Sequence, residues 1–142
     1  MRMFCLFLLC SALSACAQTA VISTNHYEVL KHETTFGTFG GFAGTMSPGA
    51  QSVLALSKQK DAVESFSKLT KEKSPAAQLF GLLELQLTSS NDFNAALPRL
   101  LSNKSEARVV VGCMLMQRDV ASVAKEIQQG RWRLGLSLNE TK

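Results

Sequence analysis

Ser47-Pro48-Gly49-Ala50-Gln51 and Ser74-Pro75-Ala76-Ala77-Gln78 are nearly the same five residues, written twice along the chain. Serine followed by proline marks a helix start. The hydroxyl accepts an orphan amide bond at the N-cap, and proline at the first helical position has no amide to satisfy. Each copy opens an apolar stretch: Val53, Leu54 and Leu56 after the first, Leu79, Phe80, Leu82, Leu83, Leu85 and Leu87 after the second. Each stretch is followed by a second, acid-led segment. Asp61 precedes Val63, Phe66 and Leu69; Asn91-Asp92 precedes Phe93, Leu97, Leu100 and Leu101. Spacings of three and four place these residues on one helical face. The pattern predicts two helix-turn-helix units, residues 47–73 and 74–104. Pro98 lies inside the fourth segment and is expected to bend or shorten it.

Beyond Lys104 the character changes. Arg108-Val109-Val110-Val111-Gly112-Cys113-Met114-Leu115-Met116 is rich in β-branched and apolar residues. It predicts a small β element at about 108–116, a buried strand or a tight hairpin pivoting near Gly112. A last helix is expected over 120–129, with Val120, Val123, Ala124 and Ile127 inward and Gly130 as its left-handed cap. Trp132 should then pack back on the body, leaving residues 139–142 frayed. Upstream of the first Ser-Pro, His26 to Phe36 mixes β-branched, aromatic and charged residues and is read as including a short strand. The glycine-rich run Gly37-Thr38-Phe39-Gly40-Gly41-Phe42-Ala43-Gly44 predicts an irregular, tightly packed turn. It lacks the terminal Gly-Lys-Ser/Thr of a phosphate-binding loop.

The fold expected is mainly α: stacked αα-hairpins with the small β element and the glycine-rich N-terminal segment packed on them. The pattern is similar to HEAT repeats, although the spacing here is shorter than that family's usual unit. The similarity is one of pattern alone. It implies a broad surface for a partner and no deep reactive pocket.

The chain has 142 residues, four cysteines and a formal net charge of +4. That length argues for one domain. Its basic residues are scattered, so no nucleic-acid footprint is expected. The cysteines are concentrated at the front, as Cys5, Cys10 and Cys16, with Cys113 alone in the body. One body cysteine cannot build an internal disulfide framework.

The front of the chain reads as an export signal. Arg2 gives a positive start, and Phe4-Cys5-Leu6-Phe7-Leu8-Leu9-Cys10 gives an apolar run too short to span a bilayer. Leu13-Ser14-Ala15-Cys16 follows, an aliphatic residue, two small residues and a cysteine. This resembles the lipobox of bacterial lipoproteins. The resemblance implies cleavage recognition at Leu13, Ser14 and Ala15, and diacylglycerol attached to the sulfur of Cys16. It also implies a membrane partner through that lipid. Ala17 stands where an aspartate would retain the protein at the inner membrane, so the resemblance implies outer-membrane sorting, facing the periplasm or the surface. The domains expected are a signal peptide over 1–15, a lipidated tether over 16–25 and one globular domain over 26–142. Ala15-Cys16-Ala17 also fits an ordinary signal peptidase cutting before Gln18, which would release a soluble secreted protein.

No residue stands out as catalytic, and no cofactor or metal is expected. Cys113 has no base beside it in sequence and is read as a buried, inert structural thiol. His26, Glu28, His32 and Glu33 are the one cluster of ligand-type residues. The two histidines are six apart, not at metal-site spacing, so solvated polar residues are expected. Met114 and Met116 are read as core filling. The functional expectation is a membrane-anchored protein-interaction or scaffold module of the cell envelope. The alternatives are an immunity or inhibitor lipoprotein, or an envelope enzyme using Cys113 or His26 and His32.

Overall fold

The computed structural model describes residues 25–40 and 45–134. The expected export signal and lipobox with Cys16, together with Phe42 and the tail expected to fray, lie outside the described residues. The elements run α1 (His26–Lys31), β1 (Thr35–Phe36), β2 (Phe39–Gly40), β3 (Thr45–Met46), α2 (Pro48–Leu56), α3 (Ala62–Leu69), α4 (Pro75–Leu87), α5 (Asn91–Leu101), β4 (Glu106–Val111), β5 (Met114–Asp119) and α6 (Val120–Gln128). The protein is mainly helical with a small three-stranded sheet.

Everything is arranged around α4. Its residues from Ala76 through Leu85 are all buried. A helix apolar on every side must be surrounded, and here α3, α5, α6, α2, β1 and β4 surround it. Gly81 lets α3 approach closely: a Cβ there would sit 2.7 Å from the Phe66 carbonyl oxygen and 2.9 Å from the Thr70 amide nitrogen. Gly49 does the same for α2, whose backbone presses against the Phe80 ring. Buried polar groups on this axis are paired. Gln78 donates to the Glu72 carbonyl at 2.6 Å and accepts from Asn103 at 2.9 Å. Arg99 on α5 donates to the Thr70 carbonyl at 2.6 Å, tying α5 to the end of α3.

Both Ser-Pro openings start helices as expected. Ser47 Oγ accepts from Ala50 N–H at 3.1 Å, and Ser74 Oγ accepts from Ala77 N–H at 3.4 Å. Each hydroxyl also donates to the segment around β1, Ser47 to the Gly37 carbonyl and Ser74 to the Glu33 carbonyl. The two equivalent caps thus hold one extended segment between the starts of α2 and α4. Phe36 lies in its middle, fully buried, with its ring 4.9 Å from that of Phe80 and 4.8 Å from that of Trp132. Trp132 packs back on the body as its sequence position promised.

The first unit is not a tight pair of helices. The principal contacts of α2 are with α1 and α4, and those of α3 are with α4 and α5. α5, the fourth segment of the sequence pattern, runs through Pro98 to Leu101, which leaves three helical residues beyond the proline. Residues 26–36 begin with a helix before the short strand. Asn25 Oδ1 accepts from Glu28 N–H at 3.4 Å, a cap that outweighs the β-branched residues behind it. Of the glycine-rich run, residues 41–44 lie outside the described residues; Phe39 and Gly40 pair antiparallel with Met46 and Thr45 as a short strand. Gly37 has a packing role, since a Cβ there would meet Val110 Cβ at 3.0 Å.

The β element extends further than 108–116. β4 and β5 form a hairpin registered from Glu106↔Asp119 to Val111↔Met114, and β1 pairs parallel to the other side of β4. Gly112 has φ +60 and Cys113 is not left-handed, the pattern of a type II′ turn with glycine at its first central position. α6 ends as expected. Gly130 has φ +68, its N–H reaches the Ile127 carbonyl at 2.9 Å, and Arg131 N–H reaches the Glu126 carbonyl at 3.0 Å.

Gly81→Ala tests the central packing. Alanine would gain about 1 kcal/mol of helix propensity, but the added methyl meets backbone atoms that cannot swing aside. A net loss of about 1–3 kcal/mol is expected, read as a lowered midpoint in urea or heat.

Candidate interaction surface

The β4–β5 hairpin carries the two most exposed large apolar side chains among the described residues. Along its inner face the pairs run Ala107/Arg118, Val109/Met116 and Val111/Met114. Ala107 and Val109 are buried against the helices, but Val111 is 42% exposed and Met114 62% exposed. The hairpin is longer than the helices beneath it, so burial runs out along a single face. On the outer face Leu115 is 53% exposed. The reading of Met114 and Met116 as core filling is half right. Met116 packs against the core, whereas Met114 projects beyond it.

Cys113 sits in the turn and is exposed, which corrects the expectation of a buried thiol. The turn lies at the far end of the hairpin, and no heavy atom lies within 4 Å of a Cβ built on Gly112. His32 is far along the sheet, at the opposite end of β4. It lines a groove of about 640 Å³ together with Lys31, Glu33, Lys73, Ser74 and Arg108. Thiol and imidazole are therefore not brought together.

The groove offers mixed charge and no activated group. Ser74 Oγ is engaged twice, as cap and as donor to Glu33. The Glu33 carboxylate accepts from the amides of Thr34 and Thr35 at 3.1 and 3.2 Å. Exposed His32 lies 3.5 Å from Glu28 across one helical turn. His26 points elsewhere, with Nδ1 3.5 Å from Ser52 Oγ. Among the described residues no group of three or more His, Cys, Asp or Glu is placed to hold a metal ion. Tyr27 donates at 2.7 Å to Glu72, which lines the groove. Burial, with help from that carboxylate, pushes its phenol up to about 12, so it remains a donor.

At the base of the hairpin, Arg118 donates to both oxygens of Glu126 at 2.7 and 2.9 Å, and Trp132 Nε1 donates to the same carboxylate at 3.0 Å. These bonds, led by Arg118, hold the Glu126 carboxyl below the ordinary glutamate range. Glu84 on α4 is shifted the opposite way, because burial alone raises it. An acid at a helix position reads from sequence as part of a solvated face. Glu84 is in fact buried, and a clue lay in its position inside the unbroken apolar run of α4.

No family model matches the chain, and no curated protein matches it.

The two glutamates give opposite pH signatures. Glu126 contributes stability above its unfolded range, and that stability is lost as pH falls through its lowered folded value. Glu84 contributes stability below its unfolded range, lost as pH rises through its raised folded value. Glu84→Gln should therefore be more stable than wild type at pH 7, with the difference closing towards pH 4. Glu126→Gln should be less stable at pH 7, again with a difference that shrinks in acid. Urea midpoints measured across pH check both. The exposed Cys113 thiol should also be alkylated in the native protein without denaturant, and protection until unfolding would contradict its placement.

Proposed function

We propose that the chain is a bacterial envelope lipoprotein, cleaved after Leu13-Ser14-Ala15 and lipidated on Cys16, whose folded domain works by docking a protein. The observation that supports docking is the overhanging hairpin. Val111, Met114 and Leu115 are exposed at one end of the hairpin, and Met114 and Leu115 are the most exposed large apolar side chains among the described residues. Exposed apolar side chains gathered at one end of an element commonly mark a contact site. An immunity or inhibitor lipoprotein would use such a surface in the same way. The separation of Cys113 from His32, and the lack of an activated group in the groove, weigh against the hydrolase alternative.

The HEAT-like arrangement belongs to this proposal too. The paired Ser-Pro openings and the helix pairs that follow them support it. The seating of α2 on α1 and α4 weighs against it. Outer-membrane sorting rests on Ala17 in place of aspartate. Among the described residues no helix is long and apolar enough to cross a membrane.

A diacylglyceryl cysteine supplies two acyl chains, and each buried methylene contributes about 0.8 kcal/mol. Cys16→Ser should therefore move the protein from the membrane to the soluble fraction. Mass spectrometry of the mature protein should show Cys16 first, carrying fatty acid. A start at Gln18 with no added lipid would sink the anchor. For the docking role, Leu115→Asp should abolish recovery of a stoichiometric partner while leaving the thermal midpoint within about 0.5 kcal/mol of wild type.

A further inference from the structure

The sheet order is β1-β4-β5, so β5 is an edge, and among the described residues no strand lies beyond it. The register shows which backbone groups face outward. Val120 N–H donates to the Ser105 carbonyl. Hydrogen-bonded pairs recur at every second residue from that point, at Ala107/Arg118, Val109/Met116 and Val111/Met114. Leu115 and Gln117, which alternate with these, direct N–H and C=O away from β4. Both side chains are exposed.

Natural edges are guarded by prolines, bulges or free charges, above all lysine. β5 has none of them over Met114 to Gln117, four residues without charge or proline. Arg118, the next charge on β5, is held bidentate by Glu126. Asp119 is occupied in capping α6 through Ser122, at 2.7 Å to both its amide and its hydroxyl. Over Met114 to Gln117 the strand thus offers outward backbone hydrogen bonds and uncharged side chains.

We propose that this edge pairs with the same edge of a second copy, antiparallel about a two-fold axis at Met116. The inference rests on the protein-docking reading above and names the partner. In this register Leu115 lies opposite Gln117 of the partner subunit, and Gln117 opposite Leu115 of the partner subunit. Each pair exchanges two backbone hydrogen bonds, so about four cross the axis. Arg118 faces Met114 of the partner subunit, so no like charges stand opposite one another. A bilayer is a poorer occupant, because lipid tails leave the outward amides and carbonyls unsatisfied. A foreign strand would have to match the spacing of outward groups, and a second copy has that spacing by symmetry.

The test uses the full chain with Cys5, Cys10 and Cys16 replaced by serine, so that neither lipid nor leader thiols contribute. Sedimentation equilibrium in mild detergent should show a monomer–dimer equilibrium. Gln117→Pro removes an outward N–H and no bond of the β4 ladder, and should weaken association at least about tenfold. Leu115→Lys, acting through charge instead of the backbone, should weaken it to a similar extent. Met116→Cys in a Cys113→Ser background should form an intermolecular disulfide on mild oxidation. The paired Cα atoms would lie about 4.5 Å apart, within disulfide reach. Native Cys113 should not crosslink, since the two-fold separates the turns by about 20 Å. A chain that stays monomeric at its highest soluble concentration overturns the proposal, as does crosslinking at Cys113 but not at Met116→Cys. A monomer that captures an unrelated strand at Leu115 also overturns it, while leaving the protein-docking role standing. A monomer that instead co-sediments with phosphatidylglycerol vesicles would overturn both.

Discussion

Burial of α4 on every side is the constraint from which the remaining structure follows. A helix with no solvent face must recruit its neighbours, and each contact sets a local requirement. Gly81 is there because the backbone of α3 lies too close for a methyl group. Gln78 is tolerated because Glu72 and Asn103 satisfy its amide. Glu84 is buried in the same helix, where its charge opposes folding at neutral pH. The helix is therefore both the main source of apolar burial and the carrier of one unfavourable group.

The same axis organises the sheet. Ser74 at the start of α4 and Ser47 at the start of α2 grip the carbonyls of Glu33 and Gly37, which delivers Phe36 to the core between Phe80 and Trp132. β1 then presents its edge to β4, and β4 brings β5 with it. Because the hairpin is longer than the layer beneath, its end stands free with Val111, Met114 and Leu115 uncovered. The Arg118–Glu126–Trp132 contact fixes the hairpin's base to α6, so the free end is held by a rigid support.

That arrangement explains why the surface reads as an interface and not as a reactive centre. Nucleophile and base must lie within hydrogen-bond reach to activate one another. Here Cys113 occupies one end of β4 while His32 lies by the other, and His26 faces Ser52 on α2. A strand edge with outward backbone groups is instead suited to accept another strand.

Much of the fold was legible in local signals. Ser47-Pro48 and Ser74-Pro75 fixed where two helices begin, Gly130 where the last one ends, and Gly112 where the hairpin turns, because caps and turns depend on residues a few positions apart. The capping pair Asn25 and Glu28 was equally local, but the β-branched residues beside it masked the helix it starts. Lateral relations were not legible. Periodicity says that a face is apolar and not which neighbour covers it, so α2 landed on α1 and α4 where the sequence pattern implied its own successor. Exposure of Cys113 and Met114 was hidden for the same reason. An apolar run looks alike whether the layer below reaches its end or stops short. Sequence alone determined where the Ser-Pro helices start, where the hairpin turns and where the last helix ends, since these are set by short-range hydrogen bonding and backbone conformation. Tertiary structure alone decided which apolar residues stay uncovered, since that depends on the relative lengths of packed elements far apart in the chain.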